Sequence, residues 1–207
     1  MSLKSSLMYS LHVVSHPFDG FWDLKHEKKG SYKSAFSIIV LLAFVFVFER
    51  QNSGFLFNFN DLSRLNIISE IMRVIVPFLL WCAANWCLTT LMDGEGSYKD
   101  IFISTAYAIV PLILIKFPVT IASNFATAQE GVFLYVFQSF AVLWTVYLLF
   151  VSTMTIHQYS LGKTVVTMLL IVVGIGIIVF IGVLFFNLIL EITGFVSNLV
   201  HEINFRI

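Results

Sequence analysis

Residues 164–190 run for 27 positions without an Asp, Glu, Lys or Arg. As a helix such a run is about 40 Å long, more than the ~30 Å hydrocarbon core of a bilayer. A segment apolar on every side has to be covered all round, and lipid is the cover that a chain of 207 residues can count on. Four more apolar stretches precede it, at residues 34–49, 70–92, 101–121 and 131–154. The first is the shortest: under 25 Å as a helix, it reaches core thickness by recruiting residues 31–33 or by thinning the bilayer. Composition agrees. Charged residues are 12% of the chain and hydrophobic ones 58%, where a soluble domain carries roughly 25% charged.

The expected fold is therefore an all-α integral membrane protein with five transmembrane helices and short amphipathic surface helices at both termini. Residues 1–33 form an N-terminal segment, 34–190 the membrane domain and 191–207 a tail. In the first, Leu3, Leu7, Met8, Leu11 and Val14 recur at helical spacing. Pro17 disfavours helix at His16, which predicts a turn over residues 16–20. In the tail, Ile192, Phe195, Val196, Leu199, Val200 and Ile203 share a face opposite Glu191, Ser197, Asn198, His201 and Glu202. Asn60-Asp61 offers a helix cap, continued by Leu62, Leu65 and Ile68. Pro77 predicts a kink in the second span; Pro111 and Pro118 interrupt the third.

Lys4, Lys25, Lys28, Lys29 and Lys33 precede the first span, which places the N-terminus in the cytoplasm and, after five crossings, the C-terminus outside. An internal repeat fits that count. Gly30-Ser31-Tyr32-Lys33 with Phe36 recurs 66 residues later as Gly96-Ser97-Tyr98-Lys99 with Phe102, and a further 66 gives Gly162. The third copy shares little beyond its glycine. The Gly-Ser-Tyr-Lys element reads as an entry device for a span: glycine ends the loop, serine caps the helix, tyrosine sits at headgroup level and lysine snorkels.

Catalytic chemistry is hard to assemble from these residues. Zero net charge speaks against nucleic acid. Gly162-Lys163-Thr164 lacks the earlier glycine of a phosphate loop, since position 157 is His. Gly174-Ile175-Gly176 lacks the third glycine of a dinucleotide motif; with Gly182 it is better read as close helix approach. The five histidines have no metal spacing, and Cys82 and Cys87 do not share a helix face. No catalytic residue, cofactor or metal is expected. Glu70 and Arg73, at i and i+3, are expected to pair at the outer end of the second span. Two candidate sites remain. One is a polar intramembrane cluster of Asn85, Thr89, Thr105 and Gln138, with interhelical hydrogen bonding as its plainer role. The other is an inner partner surface of Asp19, Phe21, Trp22, Asp23, Tyr98, Lys99 and His157, with interfacial anchoring as its plainer role.

The His16-Pro17-Phe18 segment, and the stretch from Leu91-Met92-Asp93-Gly94 through Gly96-Ser97-Tyr98-Lys99 into Tyr107-Ala108-Ile109-Val110-Pro111, resemble the YIP domain family of Ypt/Rab-interacting membrane proteins. The resemblance spans about residues 16–190 and is nearest to the short bacterial members. It implies five spans, a cytoplasmic N-terminus and no known catalysis; eukaryotic members are associated with small GTPases, vesicle traffic and membrane shaping. This chain does not show their Asp-Leu-Tyr-Gly-Pro-type motif, so a small GTPase is not an expected partner and no binding residue is carried over. The expectation is a non-catalytic scaffold or adaptor of a bacterial plasma membrane. Its partners are the lipid bilayer and a membrane protein or a second copy of itself. The alternative is a small-solute transporter or accessory permease subunit.

Overall fold

A computed structural model describes residues 3–58 and 66–206 of the chain. The expected cap at Asn60-Asp61, and Leu62 and Leu65 after it, lie outside the described residues, as do the side chains of Val200 and Ile203 in the tail. The described residues form helices and connections without strands: α1 (Leu3–Ser15), α2 (Pro17–His26), α3 (Tyr32–Asn52), α4 (Ile67–Leu91), α5 (Tyr98–Ala108), α6 (Val110–Ala122), α7 (Gly131–His157) and α8 (Leu161–Arg206). Among them, α3, α4, the α5–α6 pair, α7 and α8 are long and apolar enough to cross a membrane, five in all.

Local chemistry sets most of the boundaries. Ser31 and Ser97 both cap their helices with reciprocal capping boxes, Ser31 with Ser34 and Ser97 with Asp100. Starting at Tyr32 and running on to Asn52 makes α3 21 residues long, about 31 Å, so the first span reaches core thickness by extension at both ends. The Asn66 side chain accepts from the backbone N–H groups of Ile68 (3.0 Å) and Ser69 (3.4 Å) to open α4. The third span is broken at Ile109, two residues before Pro111.

The turn expected over residues 16–20 narrows to one residue. His16 alone leaves helical geometry (φ −129°, ψ 73°), and Pro17 opens α2 as its first residue, where its missing N–H costs nothing. Gly20 then lies inside α2 against α1: a Cβ there would sit 2.8 Å from the Cα of Val13. Helix α1 turns its small polar side toward the bundle, with Ser6 and Ser10 buried and Met8 and Leu11 exposed. The tail shows no break at residue 190, and α8 continues as one helix of 46 residues.

The core is shared by α1 to α7, around Phe21, Ala35, Ile38, Ile101, Tyr107 and Leu148. The α5–α6 span is the most enclosed, 61% buried against 6% for α8. Tyr107, fully buried, donates to the Ser6 carbonyl and meets the Ser34 hydroxyl, each at 3.0 Å, tying α1 and α3 to α5.

Candidate functional site

Two ends of the bundle carry polar side chains. The near end gathers α1, α2, the start of α3, the α4–α5 connection and the α7–α8 connection. Lys25 reaches Glu95 at 2.9 Å, joining α2 to the α4–α5 connection. Tyr159 donates to the Met92 carbonyl at 3.0 Å, and Gly96 donates its N–H to Nδ1 of His157 at 3.3 Å, joining that connection to the end of α7. Acceptance at Nδ1 leaves the neutral ring with its proton on Nε2, which is buried without a partner among the described residues. The ring is 2% exposed and stacks on Tyr159. Within the N-terminal hairpin, Asp23 accepts from Lys29 (2.6 Å) and Tyr9 (2.9 Å), and these bonds hold its carboxyl below the usual range.

This frame carries a groove of about 320 Å³ lined by Phe18, Asp19, Trp22, Thr155, Gln158 and Tyr159. Phe18 and Trp22 are half exposed, at 51% and 48%. The two copies of the Gly-Ser-Tyr-Lys element stand side by side here, Lys99 over the Tyr32 ring at 5.6 Å and Tyr32 against Phe102. Both glycines are close-packed. A Cβ on Gly30 would meet Ile103 at 2.6 Å, and one on Gly96 would meet Ile156 at 2.5 Å. Gly162 differs: it sits inside α8 with nothing within 4 Å, so the third copy does not share the packing that defines the other two.

The far end holds a charged cleft of about 270 Å³ built from α3, α4, α6 and α7. Lys116 binds both oxygens of Glu49 at 2.7 and 2.9 Å, and the Gln138 amide donates to one of them at 3.2 Å. Glu70, 7% exposed at its side chain, lies 3.5 Å from both Arg50 and Arg73. The expected Glu70–Arg73 pair is thus present at this long separation. The wall beside the cleft is closed by Gly54, whose N–H donates to the Ser123 hydroxyl at 2.8 Å. A Cβ on Gly54 would come within 2.1 Å of the Ser123 carbonyl oxygen, so the α3 exit needs glycine.

The family model described as the Yip1 domain matches residues 11–184, most of the chain. The chain belongs to the Yip1 domain family. Neither the curated proteins nor the solved structures contain a match to it. The YIP resemblance read from residues 16–190 is thereby confirmed, and the protein is a multi-pass membrane protein of a generally non-enzymatic family. No group of three or more His, Cys, Asp or Glu side chains able to hold a metal occurs among the described residues.

Within this Yip1 domain, the sequence-derived sites are only partly assembled. Of the inner-surface candidates, Asp19, Trp22, Tyr98 and Lys99 are exposed and Asp23 is half-buried. Phe21 and His157 are interior residues, at 0% and 2% exposure, and act as supports of that face. Phe21 is drawn inside because α2 packs its Phe21 and Leu24 side against α7 and α5, leaving Trp22 outward. The four-residue intramembrane cluster is divided. Asn85 and Thr89 are buried near the near end of α4, where the Thr89 hydroxyl donates to the Asn85 carbonyl at 2.7 Å. Thr105 lies along an apolar groove, and Gln138 belongs to the far-end cleft with Glu49. The reason is depth. Asn85 is about two turns from the near end of its helix and Gln138 about two turns from the far end of its own, helices of 25 and 27 residues. Glu49, Arg50 and Lys116 lie at or near the ends of apolar stretches in the sequence. Their positions at span ends held the only sign that they meet in a cleft.

Proposed function

We propose that this Yip1-domain protein is a non-catalytic membrane scaffold or adaptor of a bacterial plasma membrane, with its near end in the cytoplasm and its C-terminus outside. It associates with a membrane-protein partner, or with a second copy of itself, through the near end. The observation behind this reading is the groove of Phe18, Asp19 and Trp22 against residues 154–159: an aromatic and acidic surface on a frame pinned by Lys25–Glu95, Tyr159–Met92 and Gly96–His157. Half-exposed aromatics on a rigid support are common anchors of protein interfaces. Purification in mild detergent tests it. The chain is expected to elute with a stoichiometric partner or as a defined oligomer, and Trp22→Glu combined with Asp19→Arg is expected to dissociate it with helicity intact. A partnerless monomer in detergent and in nanodiscs alike would remove the proposal.

The charged far-end cleft favours a second reading, a small-solute transporter or accessory permease subunit. Vesicles carrying the purified chain would then show solute-dependent flux; none across a solute panel ends that reading.

A further inference from the structure

The charged cleft at the far end does not stand alone. A second cavity of about 240 Å³ adjoins it, and Phe46 and Arg73 line both. This second cavity is apolar: Leu42, Val74, Pro77, Trp81, Leu112 and Leu149 are among its walls. On α4 it runs from Arg73 to Trp81, about 12 Å along the helix axis. A charged chamber at the end of the spans thus opens beside an apolar groove leading towards their middle. Together the two volumes fall within the ~300–1,000 Å³ typical of small-molecule sites.

The placement of Arg73 gives the sign of the guest. Glu49 is engaged at both oxygens by Lys116 and once by Gln138. Glu70 is shared between two guanidiniums at 3.5 Å each, well beyond the 2.7–2.9 Å of a tight charge-assisted bond. Arg73, 61% exposed at its side chain and 3.5 Å from Glu70, stands where the two cavities meet. Pro77 follows it by four residues and has no N–H, so the Arg73 carbonyl loses its usual helical donor and can accept from a hydroxyl at the same mouth. Donors for a phosphate, an acceptor for a hydroxyl and an apolar channel below them describe an amphiphile standing in the leaflet.

We propose that these paired cavities bind an anionic phospholipid, its phosphate held at Arg73 in the charged cleft and the first part of an acyl chain laid in the groove between Leu42, Pro77 and Leu112. The phosphate could equally come from a small soluble ester; the groove selects the lipid. The full chain in a neutral detergent, given equal amounts of phosphatidylglycerol and phosphatidylcholine, is examined by native mass spectrometry. Phosphatidylglycerol is expected to be retained about tenfold over phosphatidylcholine, and Arg73→Gln to abolish most of that preference, the effect of one charge-assisted contact. Leu112→Trp, which fills the groove and leaves every charge in place, is expected to lower retention of both lipids. Millimolar glycerol 3-phosphate is expected to displace neither. Equal retention of the two lipids by the unaltered chain, unchanged retention in Leu112→Trp, or displacement by glycerol 3-phosphate each overturns the proposal. Should Arg73→Gln fail to fold, Leu112→Trp and the competition still decide it.

Discussion

Asp23 sits between the Lys29 ammonium and the Tyr9 hydroxyl, at 2.6 and 2.9 Å. The lysine bond is the larger cause of its lowered pKa, the tyrosine bond the second. A carboxyl held below its ordinary 3.8 stabilises the fold above that value and loses the contribution as pH falls through its folded value. Asp23→Asn is therefore expected to lower the thermal midpoint in detergent at pH 7 by a few degrees at most, because the pair is partly exposed. The gap to the unaltered chain should begin to narrow as pH falls past about 3.8 and close only below the lower folded value, where the native carboxyl is itself protonated. A difference that persists there would assign the effect to packing. From sequence, Asp23 was part of an acidic-aromatic patch, and its aromatic neighbour Phe21 reads the same way. Their roles parted only when α2 folded back on α1 at His16, which put Phe21 inside and Asp23 against Tyr9.

At the scale of elements, the two Gly-Ser-Tyr-Lys copies show what a short motif can and cannot convey. The serine caps are local and were legible before any tertiary contact was known, while their reciprocal partners Ser34 and Asp100, three residues on, came with the structure. The glycines are conserved in role by neighbours far along the chain: Ile103 against Gly30, Ile156 and His157 against Gly96. Spacing suggested Gly162 as a third copy, and its open surroundings set it apart. Gly96→Ala is expected to destabilise by about 1–3 kcal/mol through overpacking. Gly162→Ala should leave stability unchanged or raise it by up to about 1 kcal/mol, as alanine replaces glycine in a helix. Melting curves of the two variants in one detergent compare them directly; equal losses would mean that the three positions are equivalent after all. The close-approach reading of the α8 glycines divides in the same way. A Cβ on Gly174 would touch Leu88 of α4 at 3.2 Å, while Gly176 and Gly182 have no neighbour within 4 Å.

For the whole molecule, the position of α8 separates the two ends of the chain. It leaves the near end beside Tyr159 and Lys163, whose ammonium lies 4.2 Å from the Tyr159 ring centre, and runs for 46 residues, about 69 Å. That is more than twice the thickness of a hydrocarbon core. In cells, with Cys82 and Cys87 replaced, a cysteine introduced at Ser197 is expected to react with a membrane-impermeant maleimide. One introduced at Ser5 is expected to react only after permeabilisation. Labelling of both from the same side would contradict five crossings. The five apolar helices long enough to cross, and their order, followed from the sequence, because apolar length against bilayer thickness is a local property of the chain. So did the serine caps and the family, carried by contiguous residues. Tertiary structure decided the rest: that His157 and Phe21 support the near face from within, that Gln138 joins Glu49 and not Asn85, and that Arg73 stands between a charged and an apolar cavity. Those facts depend on which helices are neighbours and at what depth, and side chains separated by dozens of residues carry no mark of it until the helices pack.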